Sequence, residues 1–200
     1  MPSFYITHPE VTVDPDVPVR EWGLSRAGRD RAAYIAKTYG RDIRHIVTSS
    51  ERKAIDTAAI LAGALGLEFT VDPALGEMDR ESTGFLPLAE FEETVSEFFA
   101  RPTASVRGWE RAIDAQARTR EAVRRHPQDG TAFVGHGGVG ALLLADFVGL
   151  PIDQSPQQPG LGSVFVFQCE PWQLESGWSR IAQVPGVCTH SVKSVVLSAR

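Results

Sequence analysis

The sequence predicts an α/β fold, a three-layer α/β/α sandwich around a mostly parallel central sheet. Strand-like and helix-like runs alternate over most of the 200 residues, as is typical of parallel sheets covered by helices on both faces. Neither an internal repeat nor a low-complexity linker interrupts the chain. We therefore predict one domain over residues 1–200, with 76–130 as a candidate cap beside the sheet.

The amino-terminal part supplies three strands and two helices. Pro9 ends the first β-prone run, and the proline-rich stretch 11–19 is predicted to be a loop. Ser25 is placed to cap the first helix, and Gly40 to end it. The predicted elements are a strand at 4–7, a helix at 26–39, a strand at 43–48, a helix from Ser49 or Ser50 to Gly66, and a strand at 67–71.

The remainder of the chain continues the alternation after an irregular polar stretch at 76–87. An apolar run leads directly into a glycine-rich helix start, which is a typical strand–turn–helix transition. The residues after 184 have mixed polarity and suit a final strand or a loose tail. The predicted elements are helices at 88–100, 109–126 and about 138–148, and strands at 131–135, 163–169 and 178–184.

Composition limits the classes of partner. The net charge of −5 disfavours general binding to nucleic acid or to anionic membranes, so any anion site must be built locally. The two cysteines, Cys169 and Cys188, have neither disulfide-framework nor metal-ligand spacing. No leader-like or membrane-spanning stretch is present in the sequence. We expect a cytoplasmic protein without a metal or other cofactor; its oligomeric state cannot be read from the sequence.

Three groups of chemically active residues follow predicted strands. His8 follows the first strand, 49–52 follow the second, and 135–138 follow the strand at 131–135. Open α/β sheets bind ligands at the carboxyl ends of their strands. Each residue alone also fits a surface or packing role, but together they predict a site at one edge of the sheet.

The residue types in these groups suit an anionic ligand. Arg52 falls in the first turn of a helix, where a bound anion would offset the unfavourable helix dipole. A neutral His8 can attack phosphorus, and a protonated His136 can share the charge of phosphoryl oxygens. The sequence therefore predicts phosphoryl chemistry at His8, with Arg52 and His136 as binding groups.

The combination of motifs resembles the histidine phosphatase superfamily, whose members are phosphoglycerate-mutase-like in fold. The signature usually contains Arg-His-Gly, a Leu-Ser/Thr element, Ser-Ser/Asp-x-x-Arg-Ala, Leu-x-Glu and a second histidine beside glycines. The corresponding stretches, in family order, are Thr7-His8-Pro9, 24–32, 49–58, Leu75-Gly76-Glu77 and 134–138.

The resemblance implies a phosphomonoester hydrolase that works through a phosphohistidine. His8 would be the nucleophile, Glu77 the general acid, and Arg52 and His136 the phosphoryl-binding groups, without a metal. Asp79 and Glu81 are competitors for the acid role. The substrate would be a small phosphorylated metabolite or a phosphoprotein, and a mutase activity is less expected.

The position of the family arginine is open between two neighbours. If the family spacing to Thr57-Ala58 is kept, Arg52 and Lys53 compete for the place. Counted from Ser49-Ser50, with two intervening positions, it falls on Lys53. Counted by residue type it falls on Arg52, whose planar fork suits phosphate better than the point charge of a lysine. The sequence favours Arg52 and keeps Lys53 as the alternative.

Three departures from the family pattern fall beside the nucleophile. Thr7 replaces an arginine, Pro9 replaces a glycine and lacks an N–H, and Asp14 is at the place of a frequent asparagine. Arg20 and Arg80 are candidates to restore the missing charge. These departures support an alternative function, a catalytically weak or inactive member that binds an anionic ligand or partner.

Overall fold

The computed structural model describes residues 1–180 and contains one six-stranded sheet. Its strands are β1 (Ser3–Thr7), β2 (His45–Thr48), β3 (Thr70–Val71), β4 (Thr131–Gly135), β5 (Ser163–Gln168) and β6 (Gln173–Arg180). In space the order is β3-β2-β4-β1-β5-β6. The first four pair in parallel, whereas β5 pairs with β1, and β6 with β5, in antiparallel fashion. The prediction of a mostly parallel sheet is confirmed.

Five α-helices lie among the described residues. They are α1 (Arg26–Tyr39), α2 (Arg52–Leu65), α3 (Leu88–Ala100), α4 (Ala112–Arg124) and α5 (Gly137–Val148). Single 3₁₀ turns stand at Val19–Glu21, Pro73–Leu75, Val106–Gly108 and Ile152–Gln154. Ser25 caps α1 as predicted, since its side chain accepts from the Gly28 amide at 3.0 Å. Gly66 ends α2 with a φ of 67°, a left-handed conformation that favours glycine.

The hydrophobic core lies on both faces of the sheet and makes the molecule three layers thick. On one face, Ile6 and its neighbours pack against the apolar sides of α1 and α2. On the other face, Tyr5 and Phe133 pack with residues of α4 and α5. Alternate residues of β1 point to opposite faces, so Ile6 and Tyr5 belong to different cores. The three-layer prediction is therefore confirmed.

A third core connects α3 to α5 and anchors the segment 76–111. Trp109 and Phe98 are almost fully buried in it, beside Leu142 of α5. The indole Nε1 of Trp109 donates to Thr83 Oγ1 at 2.9 Å. This packing holds the irregular stretch 76–87 against the body of the domain. Within the predicted cap region, α4 joins the core of the sheet itself.

Several element boundaries differ from the sequence predictions. The third strand contains residues 70–71 and not 67–71, because β3 is a short exposed edge strand that pairs with β2 alone. The helix predicted from 109 begins at Ala112, because the backbone is extended at Trp109 (ψ 158°) and at Arg111 (ψ 142°). The last predicted strand, 178–184, begins earlier, at Gln173. Residues 181–184 and the predicted terminal strand or tail lie outside the described residues.

Within residues 1–180, no helix has the length and apolar character needed to cross a bilayer.

Candidate active site

The carboxyl ends of β1 and β4 bring two histidines together. His8 continues the pairing of the two strands, because its amide donates to the Gly135 carbonyl at 3.0 Å. His136 follows Gly135 directly. The two imidazole rings lie 5.3 Å apart between centroids at an angle of 65°, and both side chains are buried. The predicted convergence at the sheet edge is observed for His8 and His136.

The surroundings of His8 fix which ring nitrogen is free. Burial, followed by the charge of Lys53, lowers the pKa of His8 to about 4, so the ring is neutral at physiological pH. Its Nδ1 lies 2.8 Å from the Pro9 carbonyl oxygen. Because a carbonyl can only accept, Nδ1 carries the ring proton and donates it. The lone pair on Nε2 is therefore available as a nucleophile.

His136 is held from both its backbone and its ring. The Tyr5 hydroxyl donates to the His136 carbonyl and accepts from its amide, each at 3.2 Å. Its Nε2 is 2.8 Å from Ser49 Oγ and 3.4 Å from Glu51 Oε1. Nδ1 is buried without a hydrogen-bond partner among the described residues. Burial lowers the pKa of His136 well below its ordinary value, so the unliganded site favours a neutral ring over the expected protonated one.

Glu77 sits at the amino terminus of α5. Its carboxylate accepts from the amides of Gly138 at 3.2 Å and Val139 at 3.1 Å. A Cβ at Gly138 would lie 2.4 Å from Met78 Cε and 2.8 Å from Glu77 Oε1, so a larger residue there would displace the Glu77 carboxylate. Burial and the charge of Glu51 raise the pKa of Glu77, against the two amide contacts. An elevated pKa suits a carboxyl group that must deliver a proton.

A buried ion pair between Glu51 and Lys53 lies between these groups. The Lys53 ammonium donates to Glu51 Oε2, and also to the Val19 carbonyl at 3.1 Å. The other oxygen of Glu51 accepts from the Glu77 amide at 2.9 Å. Burial opposes ionisation, but the charge and hydrogen bond of Lys53, together with the Glu77 amide, lower the pKa of Glu51. Sequence reasoning missed Glu51, because its position in the motif is one where the family pattern specifies no residue type.

Arg52 and Lys53 point in different directions from adjacent positions of α2. The Arg52 side chain is 56% exposed, and its Nε donates to Asp56 Oδ1 at 2.9 Å along the same helix. The Lys53 side chain is 6% exposed, and its charge lowers the pKa of His8 after burial does. The structure thus brings Lys53, and not Arg52, together with the histidines.

The three departures from the family pattern have structural explanations. Thr7 is buried; its hydroxyl donates to Gln158 Oε1 at 2.7 Å and accepts from the Ser163 amide at 2.9 Å. Pro9 lacks an N–H, but it contributes the carbonyl that orients His8. The carboxylate of Asp14 accepts from the Asp16 amide at 3.0 Å in an exposed turn.

A cavity of about 610 Å³ opens in front of Glu51 and Glu77. Two loops form most of its wall, residues 15–20 and residues 76–85. Arg20 and Glu81 form an ion pair between these loops. Arg80 also lines the cavity, and its guanidinium stacks on the Phe91 ring at 4.9 Å. The candidate acids Asp79 and Glu81 lie on the same wall, and Asp79 accepts from the Glu81 amide at 3.0 Å.

The described residues contain no cluster of three or more His, Cys, Asp or Glu side chains that could hold a metal ion.

A sequence model of the histidine phosphatase superfamily (branch 1) matches residues 12–176. The chain belongs to the histidine phosphatase superfamily. The matched range begins after His8, so the position of the first histidine rests on the strand-end geometry and on the stretch 7–9. Membership confirms the predicted relationship.

Curated and solved relatives agree with this membership. Glucosyl-3-phosphoglycerate phosphatase of Mycobacterium tuberculosis is 30% identical over 157 residues, which is 70% of each chain. The solved structure of a mycobacterial glucosyl-3-phosphoglycerate phosphatase with VO3 is 26% identical, covering 84% of this chain and 92% of that chain, with a TM-score of 0.69. YhfR of Bacillus stearothermophilus is 22% identical, covering 88% and 95%, with a TM-score of 0.73, and shows the shared fold. The family and its phosphatase relatives support the prediction of a phosphatase.

Proposed function

We propose that the protein hydrolyses phosphomonoesters through a phosphohistidine formed on Nε2 of His8. The contact between His8 Nδ1 and the Pro9 carbonyl, at 2.8 Å, carries this proposal. It leaves an unprotonated Nε2 on a buried neutral ring, which is the form that can attack phosphorus. The carbonyl that orients the ring belongs to Pro9, one of the three departures from the family pattern.

Charge for the phosphoryl oxygens comes from Lys53 and from the donor capacity of His136. Lys53 takes the place that the spacing of the motif gave to the family cation, and its ammonium is buried beside the histidines. The Nδ1 of His136 is buried without a partner among residues 1–180, and it donates to a phosphoryl oxygen once an arriving anion favours protonation of the ring. The contribution first assigned to Arg52 is thereby transferred to Lys53, because Arg52 is paired with Asp56.

The reaction has two steps that share one acid–base group. In the first, His8 Nε2 forms a bond to phosphorus while the bond to the leaving oxygen breaks, and protonated Glu77 gives that oxygen its proton. In the second, the Glu77 carboxylate takes a proton from water as the water oxygen attacks phosphorus and the P–N bond breaks. Inorganic phosphate and neutral His8 are regenerated. The raised pKa of Glu77 supports the first role.

The proposed substrate is a small phosphorylated metabolite. The cavity of about 610 Å³ is within the range that accommodates metabolite-sized ligands. Two loops connected by the Arg20–Glu81 ion pair form most of its wall. The name of the Mycobacterium tuberculosis relative makes phosphorylated three-carbon acids and their sugar derivatives the first compounds to assay.

The test is hydrolysis of p-nitrophenyl phosphate by the wild-type protein and by His8→Ala. His45→Ala is the matched control, because His45 is an exposed histidine at the start of β2. We expect His8→Ala to abolish turnover and His45→Ala to retain it. Full activity of His8→Ala would refute the nucleophile. A wild-type protein that binds phosphate without hydrolysing the ester would favour the inactive anion-binding alternative.

A further inference from the structure

Glu51 is a buried carboxylate placed among groups that serve an anion. One oxygen accepts from Lys53 Nζ, and the other accepts from the Glu77 amide at 2.9 Å and lies 3.4 Å from His136 Nε2. The side chain is 17% exposed. A second carboxylate in a phosphate site repels the bound anion, and the repulsion is strong where water is excluded. The presence of Glu51 therefore calls for a function.

The partners of Glu51 are the groups proposed to hold the phosphoryl oxygens. Lys53 directs two of its donors to Glu51 and to the Val19 carbonyl. An ammonium has three donors in all. Within the described part of the chain, one donor is therefore free for a phosphoryl oxygen, and the charge of Lys53 must be shared between the phosphoryl group and Glu51.

In the unliganded protein, the pairing with Glu51 removes the penalty of burying the charge of Lys53 without a partner. The Lys53 side chain is 6% exposed, and a buried charge without a partner is strongly unfavourable. Glu51 supplies the negative charge that keeps Lys53 ionised and held beside the histidines. The same carboxylate becomes a competitor once a phosphoryl group arrives.

We propose that Glu51 is a built-in counter-anion, a positioning residue that occupies Lys53 in the empty site and competes with the phosphoryl group for it. The proposal rests on the proposed function in one respect, namely that Lys53 is part of the phosphate site. The competition predicts that the wild-type protein binds inorganic phosphate more weakly than a site in which Lys53 is not paired with Glu51. Weaker binding favours release of the product.

The test is the affinity for inorganic phosphate and for orthovanadate, measured by titration calorimetry and as competitive inhibition. Glu51→Gln keeps the size of the side chain and an oxygen for the Glu77 amide, but removes the charge. We expect both anions to bind at least about tenfold more tightly, because the charge-assisted contact that Lys53 now makes to Glu51 becomes free for the anion. Glu51→Ser removes the same charge with a smaller side chain and should give the same tightening.

Two controls separate competition from a structural effect. Glu81→Gln removes a charge from the wall of the same cavity, where Glu81 pairs with Arg20 and not with Lys53; it should change affinity by less than about threefold. In a Lys53→Met background, Glu51→Gln should tighten binding much less, because the contested cation is absent and only the direct repulsion by Glu51 is removed.

Unchanged or weaker anion binding by Glu51→Gln and Glu51→Ser would overturn the proposal, as would equal tightening in the Lys53→Met background. Failure of the proposed function has a different signature. In that case the wild-type protein itself would neither hydrolyse p-nitrophenyl phosphate nor bind phosphate in competition with vanadate.

Discussion

Hydrolysis should persist at a pH that protonates an ordinary histidine. Attack on phosphorus needs the lone pair of His8 Nε2, and burial together with the Lys53 charge lowers the pKa of His8 to about 4. At pH 5, a histidine with the usual pKa of about 6.5 would be neutral in roughly 3% of molecules. A pKa of about 4 leaves His8 neutral in roughly 90% of them. The difference in reactive enzyme at pH 5 is therefore about thirtyfold.

The assay is the pH dependence of kcat/KM for p-nitrophenyl phosphate at constant ionic strength, since this parameter reports groups of the free enzyme. The ionisation of the substrate is titrated separately and divided out. We expect the acidic limb assigned to His8 near pH 4. An NMR titration of the His8 ring should give the same midpoint. A limb and a ring midpoint near 6.5 would refute the reasoning from burial.

Stability should depend on pH in the corresponding direction. The folded pKa of His8 is below its unfolded value, so the unfolded chain binds more protons between about pH 4 and pH 6.5. The contribution of His8 is therefore fully present above about pH 6.5 and is lost as the pH falls toward about 4. Chemical denaturation of wild type and His8→Ala over this range should show a steeper loss in wild type. Parallel curves would contradict the shift.

Three further substitutions test the site and its support. Lys53→Met should lower kcat/KM about 10- to 100-fold, as for the loss of one charge-assisted contact, whereas Arg52→Gln should stay within about threefold; the reverse order would return the phosphate contact to Arg52. Glu77→Gln should lower kcat/KM, which covers the steps up to phosphoryl transfer, about a hundredfold or more for alkyl phosphates but much less for p-nitrophenyl phosphate, because the better leaving group needs less protonation. Equal losses of kcat/KM for both substrates would exclude Glu77 as the acid. Trp109→Ala should lower the free energy of unfolding by about 3–5 kcal/mol, and Trp109→Phe should lower it by about 1 kcal/mol through the lost hydrogen bond to Thr83. Urea denaturation measures both losses, and a loss below about 1 kcal/mol for Trp109→Ala would contradict the anchoring role.

The sequence predicted the strand-end arrangement because it follows from general rules. A strand followed by a helix in a parallel sheet places the intervening residue at the carboxyl edge. His8 and His136 therefore converge, although 128 positions separate them along the chain. The same rule could not show that Glu77 reaches the amides at the start of α5, because its loop has no regular periodicity.

The choice between Arg52 and Lys53 shows where residue type misleads. Adjacent residues on a helix point about 100° apart, so one faces the site while the other faces away. Arg52 has the better fork for phosphate, but Asp56 one turn later offers it a partner on the exposed face. The spacing of the motif determines which way a side chain points from the helix, and it favoured Lys53. The choice of Arg52 followed from the better fit of its guanidinium to phosphate.

Pro9 and Glu51 lay beyond sequence reasoning for different reasons. The effect of Pro9 comes from a backbone carbonyl, which every residue type carries, so its identity gives no signal. Glu51 acts through contacts with Lys53, His136 and the Glu77 amide. Those contacts are made by residues up to 85 positions away and exist only in the folded chain.

The most direct test of the central claim is to trap the phosphorylated protein. A single turnover with excess enzyme is quenched in alkali, which preserves phosphohistidine, and the digested peptides are sequenced by mass spectrometry. The account predicts one phosphoryl group on the ring of His8, absent from His8→Ala and formed and lost at rates compatible with kcat. A phosphoryl group on another residue, or hydrolysis at the full rate by a His8→Ala protein that carries none, would contradict it.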